Sequence, residues 1–156
     1  MVTKADYKKI MVPFDGSKFS QQALEIAIEI SKKFGALLYL ITIINISSVS
    51  PPGALLGSQK KMMIKSLDII KSAAKYEAEK MLSEKALICK KNDVDVHYEV
   101  LDGVPSGVIL KLIKKWDVDL VVLGSHGLSG FSKIKALGSV SRRVSELASC
   151  PVLISH

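Results

Sequence analysis

Residues Asp119–Arg143 read DLVVLGSHGLSGFSKIKALGSVSRR. An apolar run, Leu120–Leu123, leads directly into Gly124-Ser125-His126-Gly127, and Gly130 follows. Gly138-Ser139 then opens a run with Val140, Val144, Leu147 and Ala148 at helical spacing. The order is a buried strand, a glycine loop and a helix. Such a loop lets backbone N–H groups approach an anion closely, and the helix N-terminus adds its positive end. Glycines also end strands and open turns for purely structural reasons, so phosphate cradle and structural punctuation are both open readings. The stretch is neither a P-loop, because no Gly-Lys-Ser/Thr closes it, nor the dinucleotide fingerprint, which follows a first strand.

Outward from this stretch, 156 residues suit one domain, 1–156, with its own core. A hydrophobic content of 48% excludes general disorder. A net charge of +7 and a pI of about 9.4 would suit nucleic acid or an acidic surface. The lysines are scattered, however, and aromatics are only 6%, so no specific nucleic-acid role is expected. Cys89 and Cys150 are too few for a disulfide framework and read as packing residues. Lys4, Asp6, Lys8 and Lys9 interrupt any signal peptide, and no run reaches the length of a membrane span. A soluble cytoplasmic protein with no membrane partner is the expectation.

From the start, Lys8–Phe14 reads as a central strand ending at Pro13, with a turn at Asp15-Gly16-Ser17. Ser17 or Ser20 can cap a helix whose face is Phe19, Ala23, Ile26, Ala27, Ile30 and Phe34, stopped by Gly35. Ala36–Ile44 is almost continuously apolar, as a strand buried on both faces must be. Ser47–Gln59 is predicted to be a loop, in which Leu55 and Leu56 either cover a ligand or partner or pack on their own domain. A long helix over Lys61–Cys89 carries Met63, Leu67, Ile70, Ala74, Ala78, Met81 and Leu82 on one stripe, with Lys75 and Glu79 as a surface pair.

Val94–Leu101 alternates and carries His97 and acidic residues, which suits an edge strand with His97 exposed. Pro105 opens a helix with Val108, Ile109, Leu112, Ile113 and Trp116 inward. Strand Val118–Leu123, the glycine region, its helix and a last strand, Val152–Ser155, complete the chain. Strand and helix alternate four times before that last strand. Right-handed crossovers turn this order into a doubly wound α/β fold with helices on both faces. Such sheets bind ligands beyond the carboxyl ends of their strands, where the strand order reverses. Asp15, Ile43–Asn45 and Gly124–Gly127 end strands one, two and four, so an acid, an apolar wall and a glycine loop are expected around one crevice.

With these residues in view, the chain resembles the universal stress protein family over nearly its whole length. The resemblance rests on IMVPFDGS at 10–17, Gly103-Val104-Pro105, DLVVLGSHG followed by LGSVS, and the closing CPVLI. It implies a five-stranded parallel sheet in the order 3-2-1-4-5, of the adenine nucleotide alpha-hydrolase-like type. The family has members that bind ATP and members that do not. The binding members resemble Gly, two residues, Gly, nine residues, Gly-Ser/Thr. Here Gly124, Gly127 and Gly138-Ser139 match, but ten residues lie between Gly127 and Gly138, the surplus falling within Phe131–Leu137.

The resemblance places Asp15 near the adenosine, Pro13 and Ile43 at the adenine, Leu123 against the nucleoside, Gly124 and Gly127 at the ribose and phosphate turn, and Gly138 and Ser139 at the phosphate end. It implies ATP, or AMP or ADP, as cofactor. A magnesium or manganese ion would be held mainly by phosphate and water, with no protein metal ligand. It further implies a stress-response regulator with at most slow ATP hydrolysis, dimeric through Val152–Ile154. The alternative is a dimeric stress scaffold that binds no nucleotide.

No catalytic residue is assigned. Asp15 lacks an evident partner as a base. His126 is the one attractive acid, although a histidine in a turn is more often structural. Lys133 and Lys135 could touch phosphates or be solvated, and Arg142 and Arg143 should face outward.

Overall fold

A computed structural model describes residues 6–46, 56–128 and 136–156. The elements follow the expected alternation: β1 (Lys9–Pro13), α1 (Lys18–Phe34), β2 (Leu37–Ile44), α2 (Ser58–Lys91), β3 (Val96–Asp102), α3 (Pro105–Trp116), β4 (Leu120–Gly124), α4 (Ser139–Leu147) and β5 (Val152–Ser155). The five strands form one parallel sheet in the order β3-β2-β1-β4-β5. The order therefore reverses between β1 and β4, on either side of which Ile10 pairs with Leu38 and Leu120.

Alternation along β1 divides the core. Ile10 and Val12 face one side, with Leu24 of α1 and Leu82 of α2, while Met11 faces the other, with Ile109 of α3 and Val144 of α4. Both faces are apolar because helices cover both, which is why β2 reads as a continuous hydrophobic run. Asp119 anchors the base of the switch point: its carboxylate accepts from the backbone N–H of Lys8 and Lys9 at 2.9 and 2.8 Å.

Several details depart from the expectations. The buried face of α1 is Ser20, Ala23, Leu24, Ala27, Ile28 and Ser31, while Ile26, Ile30 and Phe34 lie at its margin. Small residues let this helix sit low on β1 and β4, and the larger side chains splay to its flank. Helix α2 starts at Ser58, so Ser58 and Gln59 belong to it rather than to the preceding loop. Its stripe is buried only from Ala78 onward: Ile70 is 58% exposed, and Met63, Leu67 and Ala74 are half-buried. Leu147, expected inward on α4, is exposed: it is the last residue of the helix, and four residues separate it from β5.

The other boundaries agree to within two residues. Gly35 and Asp117 end α1 and α3 in the left-handed region, at φ 64° and 51°. Cys89 is buried and Cys150 half-buried, both free. His97 is exposed on edge strand β3, beside the stacked rings of Tyr39 and Trp116. Lys75 and Glu79 form the expected surface pair at 3.8 Å. Ser47–Leu55, Gly130 and Phe131–Lys135, with Lys133 among them, lie outside the described residues.

Candidate functional site

Above the switch point, Asp15 follows the end of β1. Phe14 N–H still donates to Ile41 O at 2.7 Å, and Thr42 Oγ1 donates to Phe14 O at 2.7 Å, so the chain is held to β2 one step past the strand. Pro13 has no N–H to place in the ladder. Beyond it, Asp15 closes an Asx turn: its Oδ1 accepts from Ser17 N–H at 2.9 Å. Gly16, at φ 81°, permits the reversal. Ser17 then caps α1, accepting from Ser20 N–H at 3.1 Å, while Ser20 Oγ donates back to Ser17 O at 3.0 Å. The carboxylate of Asp15 is thus oriented through one oxygen.

The other oxygen points across the crevice. Oδ2 lies 2.9 Å from the position a Cβ on Gly127 would occupy. Gly124 is equally constrained. A Cβ there would come within 2.6 Å of Phe19 Cβ and 2.7 Å of its carbonyl carbon, so glycine lets α1 and β4 touch. The two glycines of the turn serve different ends: Gly124 brings elements together, and Gly127 leaves room beside an acid.

The long loop returns to the same place. Gly138 N–H donates to Ser125 O at 2.8 Å, and Ser141 Oγ lies 2.8 Å from that oxygen and 3.0 Å from Gly138 O. Ser125 N–H in turn donates to Ser155 O at 2.8 Å, tying the turn to the end of β5. The first turn of α4 is therefore fastened to the tip of β4, although ten residues separate Gly127 from Gly138. Gly138 sits at the N-cap with no side-chain hydrogen bond, so the opening N–H groups of α4 have no side-chain cap.

These elements enclose a cavity of about 240 Å³. All eight residues singled out from the sequence line it: Pro13, Asp15, Ile43, Leu123, Gly124, Gly127, Gly138 and Ser139. Others were not anticipated there. Ile41, Pro105 and Ile109 extend the apolar wall, and Ser20 and Ser141 add hydroxyls. Ile109 reads in sequence only as a core position of α3, since periodicity cannot say that the core opens into a cleft. Ser141 had a signal in the Ser-x-Ser that opens α4, but that pattern is common at helix starts.

His126 also lines the cavity, with Nδ1 3.1 Å from Ser125 Oγ and its ring 5.5 Å from that of Phe19. Arg142 and Arg143 are exposed, as expected. Among the described residues no group of three or more His, Cys, Asp or Glu side chains could hold a metal ion. None of their helices is long and apolar enough to cross a membrane.

Comparison with known proteins places this architecture. The model of the universal stress protein family matches residues 6–156. The chain belongs to that family. Over 148 residues it is 36% identical to Universal stress protein MJ0531 of Methanocaldococcus jannaschii, covering 95% of this chain and 81% of that protein. The family fold is equally clear: the universal stress protein UspA from Lactobacillus plantarum superposes with a TM-score of 0.86 at 23% identity, covering 98% of this chain and all of that one. A universal stress protein from Archaeoglobus fulgidus, solved in complex with dAMP, has a TM-score of 0.63 at 21% identity, covering 97% of this chain and 100% of that chain.

Proposed function

We propose that this universal stress protein binds an adenine nucleotide in the cavity above the β1/β4 switch point and acts as a nucleotide-dependent regulator. One observation carries the reading. An oriented carboxylate, an apolar wall, a glycine turn and an uncapped helix N-terminus all face one cavity. Each answers a different part of a nucleotide. Ile41, Ile43 and Pro13 offer a dry surface to a purine ring. Asp15 Oδ2 can accept from a ribose hydroxyl, the turn around Gly127 can approach a phosphate, and the N–H groups opening α4 complement phosphate charge. The relative from Archaeoglobus fulgidus that holds dAMP supports adenine nucleotides as the ligand class.

ATP is the form we assign, with AMP and ADP sharing the nucleoside contacts. A magnesium or manganese ion would enter with the phosphates, ligated by their oxygens and water. The residues fit a bound nucleotide, since glycine at 127 leaves open the space that a Cβ would take from Asp15. Hydrolysis is at most slow: Asp15 holds an Asx turn with Oδ1 and is assigned to the ribose with Oδ2, and His126 Nδ1 lies against Ser125 Oγ. The protein pairs through β5, whose Val152–Ile154 is half-buried at the sheet edge and would be covered by the same strand of a second copy.

The test is calorimetric titration of the purified protein with ATP, beside Gly127→Val and Asp15→Ala. Saturable heat that both substitutions abolish is the expected result. Absence of heat with the wild type would favour the scaffold reading, in which the longer loop leaves the pocket empty. Phosphate release in the presence of magnesium separates regulator from ATPase.

A further inference from the structure

Strand β3 is one end of the sheet, and among the described residues no strand pairs with its outer edge. Its seven residues, Val96–Asp102, include neither proline nor lysine, the common guards of a free edge. Pairing with β2 fixes which backbone groups are free. Asp95 O accepts from Leu38 N–H, and Gly103 N–H donates to Ile44 O, so the odd-numbered residues between them turn their backbone groups toward β2. Direction alternates along a strand. Val96, Tyr98, Val100 and Asp102 therefore turn their N–H and C=O groups outward. The middle of this edge is open: His97, Tyr98 and Glu99 are all exposed.

The edge is complementary to itself in one register. In an antiparallel pair centred on Tyr98, that ring meets the partner's Tyr98, Val96 meets the partner's Val100, and His97 meets the partner's Glu99. The outward-turned residues 96, 98 and 100 are then the ones that exchange hydrogen bonds. His97 and Glu99 fall on the closer, non-hydrogen-bonded positions, about 4.5 Å apart at Cα. Faces agree as well. Val96 and Val100 pack on the side of α2, and His97 lies 3.7 Å from Glu99 on the other. An aromatic pair, an apolar pair and a histidine facing a carboxylate all favour association. The neighbouring registers lose this. A centre at Glu99 sets that carboxylate against its twin, and a centre at His97 sets Asp95 against the partner's Glu99. A centre at Val100 leaves Glu99 opposite the partner's Leu101.

The surroundings accept a second copy. Helix α2 packs on both β2 and β3, so it sits inboard of the edge. Two copies would place their α2 helices about 10 Å apart on one face of the joined sheet, a usual spacing for packed helices. The groove between α2 and β3 is lined by Tyr76, Tyr98, Lys75, Lys80, Glu79 and Glu99, with charges of each sign in equal number.

We propose that the free edge of β3 is a self-recognition site, on which a second copy of this chain lays its own β3 antiparallel about a two-fold axis at Tyr98. This contact uses the edge opposite β5 and leaves the nucleotide cavity untouched.

The experiment is disulfide trapping in the full chain. With oxidised glutathione, Tyr98→Cys should form a dimer linked 98 to 98, since paired Cα atoms about 5.5 Å apart lie within disulfide reach. Val100→Cys alone should link poorly to itself, and a mixture of Val96→Cys with Val100→Cys should link 96 to 100. Mass spectrometry of the linked peptides reads the register. Sedimentation is the second measurement. Tyr98→Pro removes only an outward N–H and should reduce the mass of the largest species by about half. His97→Glu should weaken association, and adding Glu99→Lys should restore it. Circular dichroism checks folding, and Tyr98→Lys, which sets two like charges on the axis, replaces the proline variant where that one is unfolded. Absence of the 98–98 link overturns the proposal, as does an unchanged mass in the Tyr98 variant. A link from position 98 to the partner's Cys150 also overturns it, because β5 would then be the strand that occupies this edge.

Discussion

Asp15 and Gly127, 112 positions apart in the chain, meet across the mouth of the cavity: Oδ2 of the acid lies 2.9 Å from where a side chain on the glycine would begin. Glycine at 127 is therefore a property of the acid opposite as much as of its own turn. The residue is exposed, so a side chain there need not disturb the core.

Gly127→Val should accordingly separate binding from stability. We expect ATP affinity to fall about tenfold or more, equivalent to ~1.4 kcal/mol, as the Asp15 carboxylate is displaced. The unfolding free energy should move by about 1 kcal/mol or less, as usual for exposed positions. Calorimetry and urea unfolding of the same preparation check both.

Gly124→Ala should behave in the opposite way. Its new methyl would meet Phe19 at Cβ and at the backbone carbonyl carbon, which shortening the Phe19 side chain cannot relieve. A loss of about 1–3 kcal/mol is expected, as for other overpacked sites. Adding Phe19→Ala should not restore it, and urea unfolding of the three variants decides.

Ser141→Ala removes the hydroxyl that lies 2.8 Å from Ser125 O at the start of α4. The hydrogen bond is worth about 1 kcal/mol of stability. Because Gly138 N–H still holds the same carbonyl, the helix should stay docked, and ATP affinity should fall by less than in Gly127→Val. Titration of both variants with ATP ranks them.

Leu82→Ala and Ile70→Ala, both on α2, should differ sharply. Leu82 is fully buried beneath the helix, and its truncation is expected to cost about 2–5 kcal/mol. Ile70 is 58% exposed, and its truncation should change stability by about 0.5 kcal/mol or less. Denaturant midpoints measure the contrast.

Burial pushes the Cys89 thiol above its usual 9.0. Burial, with the nearby Asp119 charge as a smaller cause, does the same for Cys150. Each thiol holds its proton more tightly in the folded state. The associated stability is thus fully present below the unfolded value and is lost as pH rises through the higher folded one. Iodoacetamide should modify Cys89 much more slowly in the native protein than in urea at pH 8, and stability should decline above about pH 9. Mass spectrometry of the labelled protein and unfolding across alkaline pH provide the checks.

The parts of the fold legible in sequence were those with local physical causes. The apolar run Leu37–Ile44 could only be a strand covered on both faces, and Gly35 could only end a helix in the left-handed region. The stop after Gly124 and the restart at Gly138 were readable for the same reason. Helix faces were less legible. In α1, Ile26 and Ile30 are as apolar as Leu24 and Ile28, and only the angle at which the helix meets the sheet decides which pair is buried. In α2, apolar residues occur on all sides of the first half, so periodicity gave no warning that Ile70 is exposed. The site was legible as a set of strand tips. The roles of Ile109, Pro105 and Ser141 were not, because each comes from a helix whose distance from β4 is set by packing.

The sequence by itself determined the order of strands and helices, the two-sided core and the positions where the backbone must turn, because these depend on side-chain polarity and on dihedral freedom within a few residues. Only the tertiary structure decided that the Asp15 carboxylate faces Gly127 and that the first turn of α4 is fastened to Ser125 in spite of the long loop. Contacts between residues so distant in the chain are fixed by how the helices seat on the twisted sheet, and that seating belongs to the assembled core rather than to any one segment.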